Sequence, residues 1–309
     1  MKLLQVAAGV IKNPQGQILI ALRDPTLHQG GLWEFPGGKL EPGETAEQAL
    51  LRELQEELDI IAHEAAPLIT VKHSYPDRHV QLNVFLVENF SGLAKGCQGQ
   101  PLKWVAPNEL LNFSFPAANQ PIVTAARLPR CYGIIDDAEP SLLMDNLHKL
   151  LANGIKLIQA RLKNLPADAA DAFIRQAYPL CQQQQVVLLV NSAVAVADKL
   201  NADGMHLTAA HLMALTERPA NIPWLSASCH TLDELNQAQQ IGVDFVVLAP
   251  VLPTATHPDA PTLGWGCFTE LVSQINLPVY ALGGMTSEDT TAACQAGGQG
   301  IAGIRAFLE

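Results

Sequence analysis

Glu53, Glu56 and Glu57 stand at i, i+3 and i+4 in the stretch GGKLEPGETAEQALLRELQEELDI, residues 37–60, which holds seven carboxylates against only two basic side chains, Lys39 and Arg52. In a helix these three positions share one face, where like charges repel by roughly 0.2–0.5 kcal/mol per pair. Carboxylate oxygens gathered in this way suit a hard divalent cation, Mg²⁺ or Mn²⁺, which keeps several waters and is bridged by substrate phosphates. The plainer alternative is a solvated acidic face with Arg52 paired to Glu56. Whatever the face does, a helix must carry it. Thr45 with Gln48 three residues on reads as a capping box, so the helix is predicted to start at about Thr45, with Leu50, Leu51, Leu54 and Leu58 as its apolar stripe.

The rest of the chain supplies the frame. Its 309 residues, 48% of them hydrophobic, are ample for a packed core and long enough for two domains. The balance of 19 basic and 30 acidic residues, net -11, gives no field that would attract a nucleic-acid polymer or an anionic membrane, so any phosphate must be met locally. Six cysteines without C-x-x-C spacing fit a reducing cytoplasm and are expected to be buried packing residues. The opening LLQVAAGVI is interrupted by polar residues and lacks a cleavage pattern, so it reads as a first strand, not a signal peptide or membrane span.

The two halves differ in rhythm. Up to about Leu128 the apolar segments LLQVAAGVI, QILIAL and QLNVFLVENF read as strands of a mixed sheet around one strong helix. From Cys131 short apolar runs alternate with helical ones. CYGII, IKLIQA, VVLLV, DGMHL, WLSAS, DFVVLA, PVYAL and GIAGI make eight candidate strands, and eight βα units close into a (β/α)8 TIM barrel. About 180 residues is compact for that fold, so some helices must be short. Pro129 marks the junction, and the predicted domains are 1–128 and 130–309.

Gly38, five residues, Glu44, seven residues, then Arg52-Glu53-Leu54-x-Glu56-Glu57 resembles the signature of the Nudix hydrolases, and residues 1 to about 128 are similar to the MutT-type 8-oxo-dGTP diphosphatases along nearly their whole length. The resemblance implies an α/β/α sandwich with a mixed sheet and a Mg²⁺-dependent hydrolase, Mn²⁺ being an alternative. It implies that Glu53, Glu56, Glu57 and the Gly37 carbonyl are metal ligands, that Arg52 orients the glutamates, and that Lys39 faces phosphate. Arg23, Phe35, Arg78 and Asn119 match the residues that hold the purine, on the stretches EFPGG, PDRH and FPAANQP. An Asn119 amide offers a donor and an acceptor together to a purine edge, and Phe35 would give backbone and a stacking surface. Two positions depart from the pattern. Asp59 stands where the signature ends its helix with glycine, and Gln98, a neutral amide, stands where such enzymes carry a glutamate.

In the second half, Arg161, Asn191, His206, Ser228 and His230 fall at predicted C-terminal strand ends, where barrel chemistry is done. Gly283-Gly284 and the backbone around Ile304 follow the seventh and eighth strands, where such barrels bind phosphate through N–H groups. The stretches IQARLK, VNS, DGMHL, APVLPTATHPDAP and YALGGM resemble thiamine phosphate synthases and the related TenI-type thiazole tautomerases. That resemblance calls for two Mg²⁺-holding aspartates and a lysine where this chain has Ser192, His211 and His257. It also places a tautomerase histidine at His230. The expectation is a cytoplasmic enzyme that hydrolyses a small-molecule nucleotide, 8-oxo-dGTP, in nucleotide-pool sanitation and DNA repair, fused to a degenerate barrel that takes a thiamine-pathway phosphate ligand. Alternatives are a Nudix hydrolase of thiamine-related pyrophosphates, a regulatory ligand-binding barrel, and a tautomerase.

Overall fold

The computed structural model describes residues 3–26, 29–194, 201–254 and 261–308. The chain divides into two compact units, Met1–Arg127 and Leu128–Glu309. Leu128, which the sequence reading gives to the first half, goes with the second.

In the first unit the strands are β1 (Leu3–Ile11), β2 (Ile18–Leu22), β3 (Trp33–Glu34), β4 (Gly37–Lys39), β5 (Ile61–Ala62), β6 (Ala66–Ser74), β7 (His79–Val87), β8 (Phe90–Ser91) and β9 (Leu102–Val105); the helices are α1 (Ala46–Leu58) and α2 (Gln120–Arg127). A four-stranded mixed sheet runs β4-β1-β7-β6, with β1 parallel to β7, beside an antiparallel sheet β3-β2-β9 and a short β5-β8 pair. Period-two alternation gives β1 two buried faces. Ala7 and Ile11 join Leu50, Leu54 and Leu58 of α1 in one core, whereas Ala8 and Val10 join Ile122 and Val123 of α2 in another. The sheet is thus covered by a helix on each side.

Three details differ from the sequence reading. QLNVFLVENF is not one strand, because the alternation of buried Val80, Leu82 and Val84 ends at Val87, and Phe90–Ser91 pairs with β5 instead. The nine-residue β6 escapes the pattern search because a register shift between Pro67 and Ile69 breaks its alternation. On α1 the buried face is Ala49, Leu50, Leu54 and Leu58, with Leu51 only half-buried.

The second unit is a closed parallel barrel of β10 (Cys131–Asp136), β11 (Leu157–Arg161), β12 (Val187–Asn191), β13 (Gly204–Leu207), β14 (Trp224–Cys229), β15 (Phe245–Leu248), β16 (Val279–Ala281) and β17 (Gly300–Gly303), all eight of the strands expected. Its helices are α3 (Pro140–Ala152), α4 (Ala167–Gln183), α5 (Ala209–Ala214), α6 (Leu232–Ile241), α7 (Gly264–Val272) and α8 (Thr290–Gln295); α5 and α8 have six residues each, the shortening that a compact barrel requires. Tyr132, Phe245, Tyr280 and Trp224 fill the interior with edge-on and tilted ring contacts, and Leu128 packs into the same cluster.

The cysteines are all free, but they are not uniformly packing residues. Cys181, Cys229 and Cys294 are buried, Cys131 is half-buried, and Cys97 and Cys267 are exposed on polar loop and helix surfaces. Among the described residues no helix is long and apolar enough to cross a membrane.

Candidate functional site

α1 begins as its sequence predicts. The Thr45 side chain accepts from the Gln48 N–H at 3.2 Å while Gln48 Oε1 accepts from the Thr45 N–H at 2.9 Å. Its C-terminal end is closed by the loop after β8, where the Lys95 and Cys97 N–H groups donate to the Leu58 and Glu57 carbonyls at 3.1 and 2.9 Å. Asp59 occupies the left-handed region at φ 57°, returns its N–H to Gln55 and Leu54 carbonyls, and pairs with Lys95 Nζ at 2.7 Å.

Within the segment that carries β3 and β4, β4 has no room for side chains at two positions. A Cβ at Gly37 would stand 2.1 Å from the Ala7 carbonyl oxygen, and one at Gly38 would stand 2.1 Å from the Glu53 carboxyl carbon. Gly38 is therefore a cradle for the Glu53 carboxylate. Arg52 binds the surrounding acids: Nε donates to Glu44 Oε1 at 2.8 Å, Nη2 to Glu44 Oε2 at 3.0 Å and to the Lys39 carbonyl at 3.1 Å, and Nη1 to Glu53 at 2.9 Å and Glu56 at 3.3 Å. These bonds hold the Glu44 carboxyl down at about 2 and raise Arg52 further above its ordinary range. Among the described residues Glu57 has no such ion-pair partner. Burial, then repulsion from Glu53 and Glu34, pushes it up to about 7 against the opposing pull of the Gly37 N–H and Arg23.

The three glutamates thus share a face, with one carboxylate short of positive charge. Among the described residues no three acidic, His or Cys side chains already converge on a point where an ion would sit. The donor set, all oxygen with the cradled Glu53 and an under-neutralised Glu57, fits a hard divalent cation.

The other predicted residues distribute unevenly. Arg23 ion-pairs through Nη1 with Glu34 Oε2 beside the same segment. Phe35 is 4% exposed and stacked on Phe115 at 5.4 Å, so its ring offers no surface for a base; only its backbone remains available, because the second core has taken the ring. Asn119 ends a turn of 3₁₀ helix that follows Phe115, half-buried, its N–H held by the Pro116 carbonyl. Arg78, in the β6–β7 turn, is bound by Asp77 at 2.6 Å, and Lys39 is exposed at the end of β4. Gln98 is exposed on the loop that closes α1, its N–H donated to Gln100 Oε1 at 2.9 Å.

In the barrel, a cavity of about 350 Å³ opens among the C-terminal strand ends, lined by Gln159, Arg161, Lys163, Asn191, His206 and His230 among others. Arg161 is paired with Asp136 at 2.5 Å, and Asp137 is engaged by Asn164. Below them lies a connected polar network. Asn191 Nδ2 donates to Gln159 Oε1 at 3.0 Å, Gln159 Nε2 donates to the Tyr132 hydroxyl at 3.0 Å, and His206 lies between Tyr132 and Ser226 on one nitrogen and Ser228 on the other. Burial, aided by Lys163 and Arg161, pushes His206 down to about 3, so it is neutral. Ser192 Oγ and His211 Nδ1 bond to each other at 2.7 Å. His230 Nδ1 faces Glu234 at 3.1 Å. Gly283 and Gly284 have φ of 100° and 67° after β16, and Ile304 follows β17, 37% exposed. His257 lies outside the described residues.

A family model described as NUDIX domain matches residues 7–125, and one described as Thiamine monophosphate synthase matches residues 131–307. The chain belongs to both families. Its Nudix unit, a hydrolase domain, is 42% identical over 130 residues to the 8-oxo-dGTP diphosphatase of Escherichia coli, 42% of this chain and 99% of that protein, and 38% identical over 125 residues to the CTP pyrophosphohydrolase of the same organism, 40% of this chain and 92% of that protein. Its synthase-family barrel is 34% identical over 171 residues to the thiamine-phosphate synthase of Roseiflexus castenholzii, 54% of this chain and 74% of that protein.

Sequence reasoning missed Glu34 in the Nudix unit and Gln159, Lys163 and Glu234 in the barrel. Gln159 and Arg161 share strand parity on β11, and both line the cavity, so alternation could have found the first. Glu34 stood inside the quoted EFPGG, but its partner is eleven residues away on a neighbouring strand.

Proposed function

We propose that the Nudix unit is a Mg²⁺-dependent pyrophosphohydrolase of nucleoside triphosphates, able to use Mn²⁺, that converts 8-oxo-dGTP to 8-oxo-dGMP and pyrophosphate in the reducing cytoplasm that free cysteines suit. The observation that carries this reading is the Gly38 cradle, which sets the Glu53 carboxylate at the end of the Arg52 network. Glu53, Glu56, Glu57 and the Gly37 carbonyl would hold the cation, which polarises phosphoryl oxygens and lowers the pKa of the attacking water.

The chain's own groups do the rest. Arg52 aims Glu53, so that its carboxylate is placed to take a proton from water. Lys39, exposed beside it, meets the phosphates. Arg23 and Arg78, the Phe35 backbone and the Asn119 amide take the base and sugar, with Asn119 supplying both hydrogen-bond senses to the purine edge. Gln98 cannot act as a base, which leaves that duty to Glu53. The test compares turnover of 8-oxo-dGTP, dGTP and CTP by the full chain with Mg²⁺. Preference for 8-oxo-dGTP with release of pyrophosphate is expected; faster turnover of CTP would overturn the assigned substrate.

The barrel, on the same reading, takes a phosphate ligand without coupling two precursors. Ser192 and His211 bond to each other, and Asp136 and Asp137 are committed to Arg161 and Asn164, which among the described residues leaves no carboxylate pair for the ion that a diphosphate leaving group needs. The backbone N–H groups at Gly283, Gly284 and Ile304, with Arg161, Asn191 and His230, remain to receive a phosphate monoester. The full chain should be stabilised by thiazole phosphate or thiamine phosphate yet form no thiamine phosphate from its precursors with Mg²⁺; robust synthesis would overturn this.

A further inference from the structure

Two residues apart, Trp33 and Phe35 each meet a ring from the segment 113–119 that ends in Asn119. Trp33 and Phe113 lie edge to face with centroids 5.3 Å apart, and Phe35 and Phe115 stack at 5.4 Å. Between these two rungs the Trp33 N–H donates to the Ser114 carbonyl at 2.9 Å. One backbone bond is no strand ladder, so side-chain contacts must fix the place of this segment along β3. The inner rung, Phe35 and Phe115, is buried core, whereas Trp33 and Phe113 of the outer rung are half-buried. Lys103 of β9 reaches the outer rung across β2, with Nζ 5.2 Å from the Trp33 centroid and 5.3 Å from that of Phe113, within range of a cation–π contact. It has no ion-pair partner among the described residues, so the two rings are what its charge meets. Beyond Phe115 the chain makes one turn of 3₁₀ helix, Ala117–Asn119, with Ala118 buried and the Asn119 N–H held by the Pro116 carbonyl.

Resting on the nucleotide-hydrolase reading, we propose that Trp33, Phe113 and Lys103 are positioning residues for base recognition, which hold the 113–119 segment, and with it the Asn119 amide, at one place relative to β3. The inner rung alone would leave that segment hinged about a single pair of rings. Guanine presents two acceptors, N7 and O6, on its major-groove edge. Oxidation at C8 puts a hydrogen on N7, so an amide that donates to O6 and accepts from N7–H separates the two bases only while it is held in one orientation. A loosened outer rung therefore costs discrimination before it costs stability.

The experiment uses the full chain with Trp33→Ala, Trp33→Phe, Lys103→Met, Asn119→Ala and the Trp33→Ala/Asn119→Ala double variant. KM and kcat are measured for 8-oxo-dGTP and dGTP with Mg²⁺, and hydrogen exchange over residues 113–119 is measured without nucleotide. Trp33→Ala should raise KM for 8-oxo-dGTP about tenfold with kcat changed less than about threefold, and should shrink the kcat/KM preference over dGTP by about the same factor as KM rises. Exchange over 113–119 should quicken while exchange along α1 stays at the parent rate. Trp33→Phe keeps a ring beneath Lys103 and should restore the preference; Lys103→Met keeps the stem without the charge and should lose about two- to threefold of it. The double variant should discriminate no worse than Asn119→Ala, because both changes act on one contact. If Trp33→Ala does not fold, Phe113→Leu, which removes the other ring of the rung and keeps apolar bulk, carries the same comparison. An unchanged preference, a loss confined to kcat, additive losses in the double variant, or unchanged exchange over 113–119 would each overturn the proposal. A parent chain that turns over no nucleoside triphosphate would instead overturn the hydrolase reading on which it rests.

Discussion

Adjacent glycines at 37 and 38 meet different neighbours, and that difference separates stability from activity. Gly37→Ala drives a Cβ against the Ala7 carbonyl at a backbone φ of 145°, so the strand pairing of β1 with β4 must shift, at a cost of about 3 kcal/mol. Gly38→Ala meets only the end of the Glu53 side chain, which can swing away. Thermal unfolding should therefore fall by several degrees in the first variant and barely change in the second, whereas hydrolysis should be lost in the second. Glu53→Gln tests the same carboxylate by charge. It should lower kcat by about 10²-fold or more, as loss of a general base does, with no fall in melting temperature. Near-normal turnover would remove Glu53 from the chemistry. The spacing of Arg52, Glu53, Glu56 and Glu57 was legible in sequence because helical periodicity ties those positions together, whereas Glu44, which precedes the helix, was legible only through the signature. Glu34 was not, since its importance depends on a cross-strand neighbour, and Phe35 misled because nothing local announces that Phe115 covers its ring.

At the scale of elements, α1 shows how a departure from a motif is absorbed. Asp59 takes the left-handed cap that glycine would take with less strain, and a carboxylate there opposes the helix dipole. Lys95 compensates in part, but the pair is exposed and worth little. Asp59→Gly should stabilise the Nudix unit by about 1 kcal/mol, read from denaturant unfolding, with metal-dependent turnover unchanged. Elements with clean periodicity, α1 and the eight barrel strands, could be read directly. The bulged β6 could not, because the bulge puts consecutive apolar residues out of phase.

The barrel carries a buried group that responds to acid. In the barrel, His206 is buried neutral within a hydroxyl and amide network, and its pKa of about 3 lies below the unfolded value near 6.5. The unfolded chain therefore binds the proton first. The stability contributed is complete above pH 6.5 and is lost progressively as pH falls towards 3, on the order of 5 kcal/mol in all. Hydrogen exchange read over β10–β17 should show protection declining across that window, and His206→Gln should flatten the decline; an equal slope in the variant would assign acid sensitivity elsewhere.

The segment from Trp33 to Lys39 also acts as a ruler. Its two ends are fixed by pairing to different sheets, so the number of residues between Glu34 and Gly37 sets the separation of the Arg23–Glu34 pair from the Gly38 cradle of Glu53. Because side chains alternate at every step along a strand, a change of one residue cannot be shared out gradually. Either Glu34 loses Arg23 or Gly38 loses its place under Glu53. On the nucleotide-hydrolase reading proposed above, the reach from base to reacting phosphorus is then a discrete quantity written in chain count, not one that small adjustments of the groups holding the nucleotide could change.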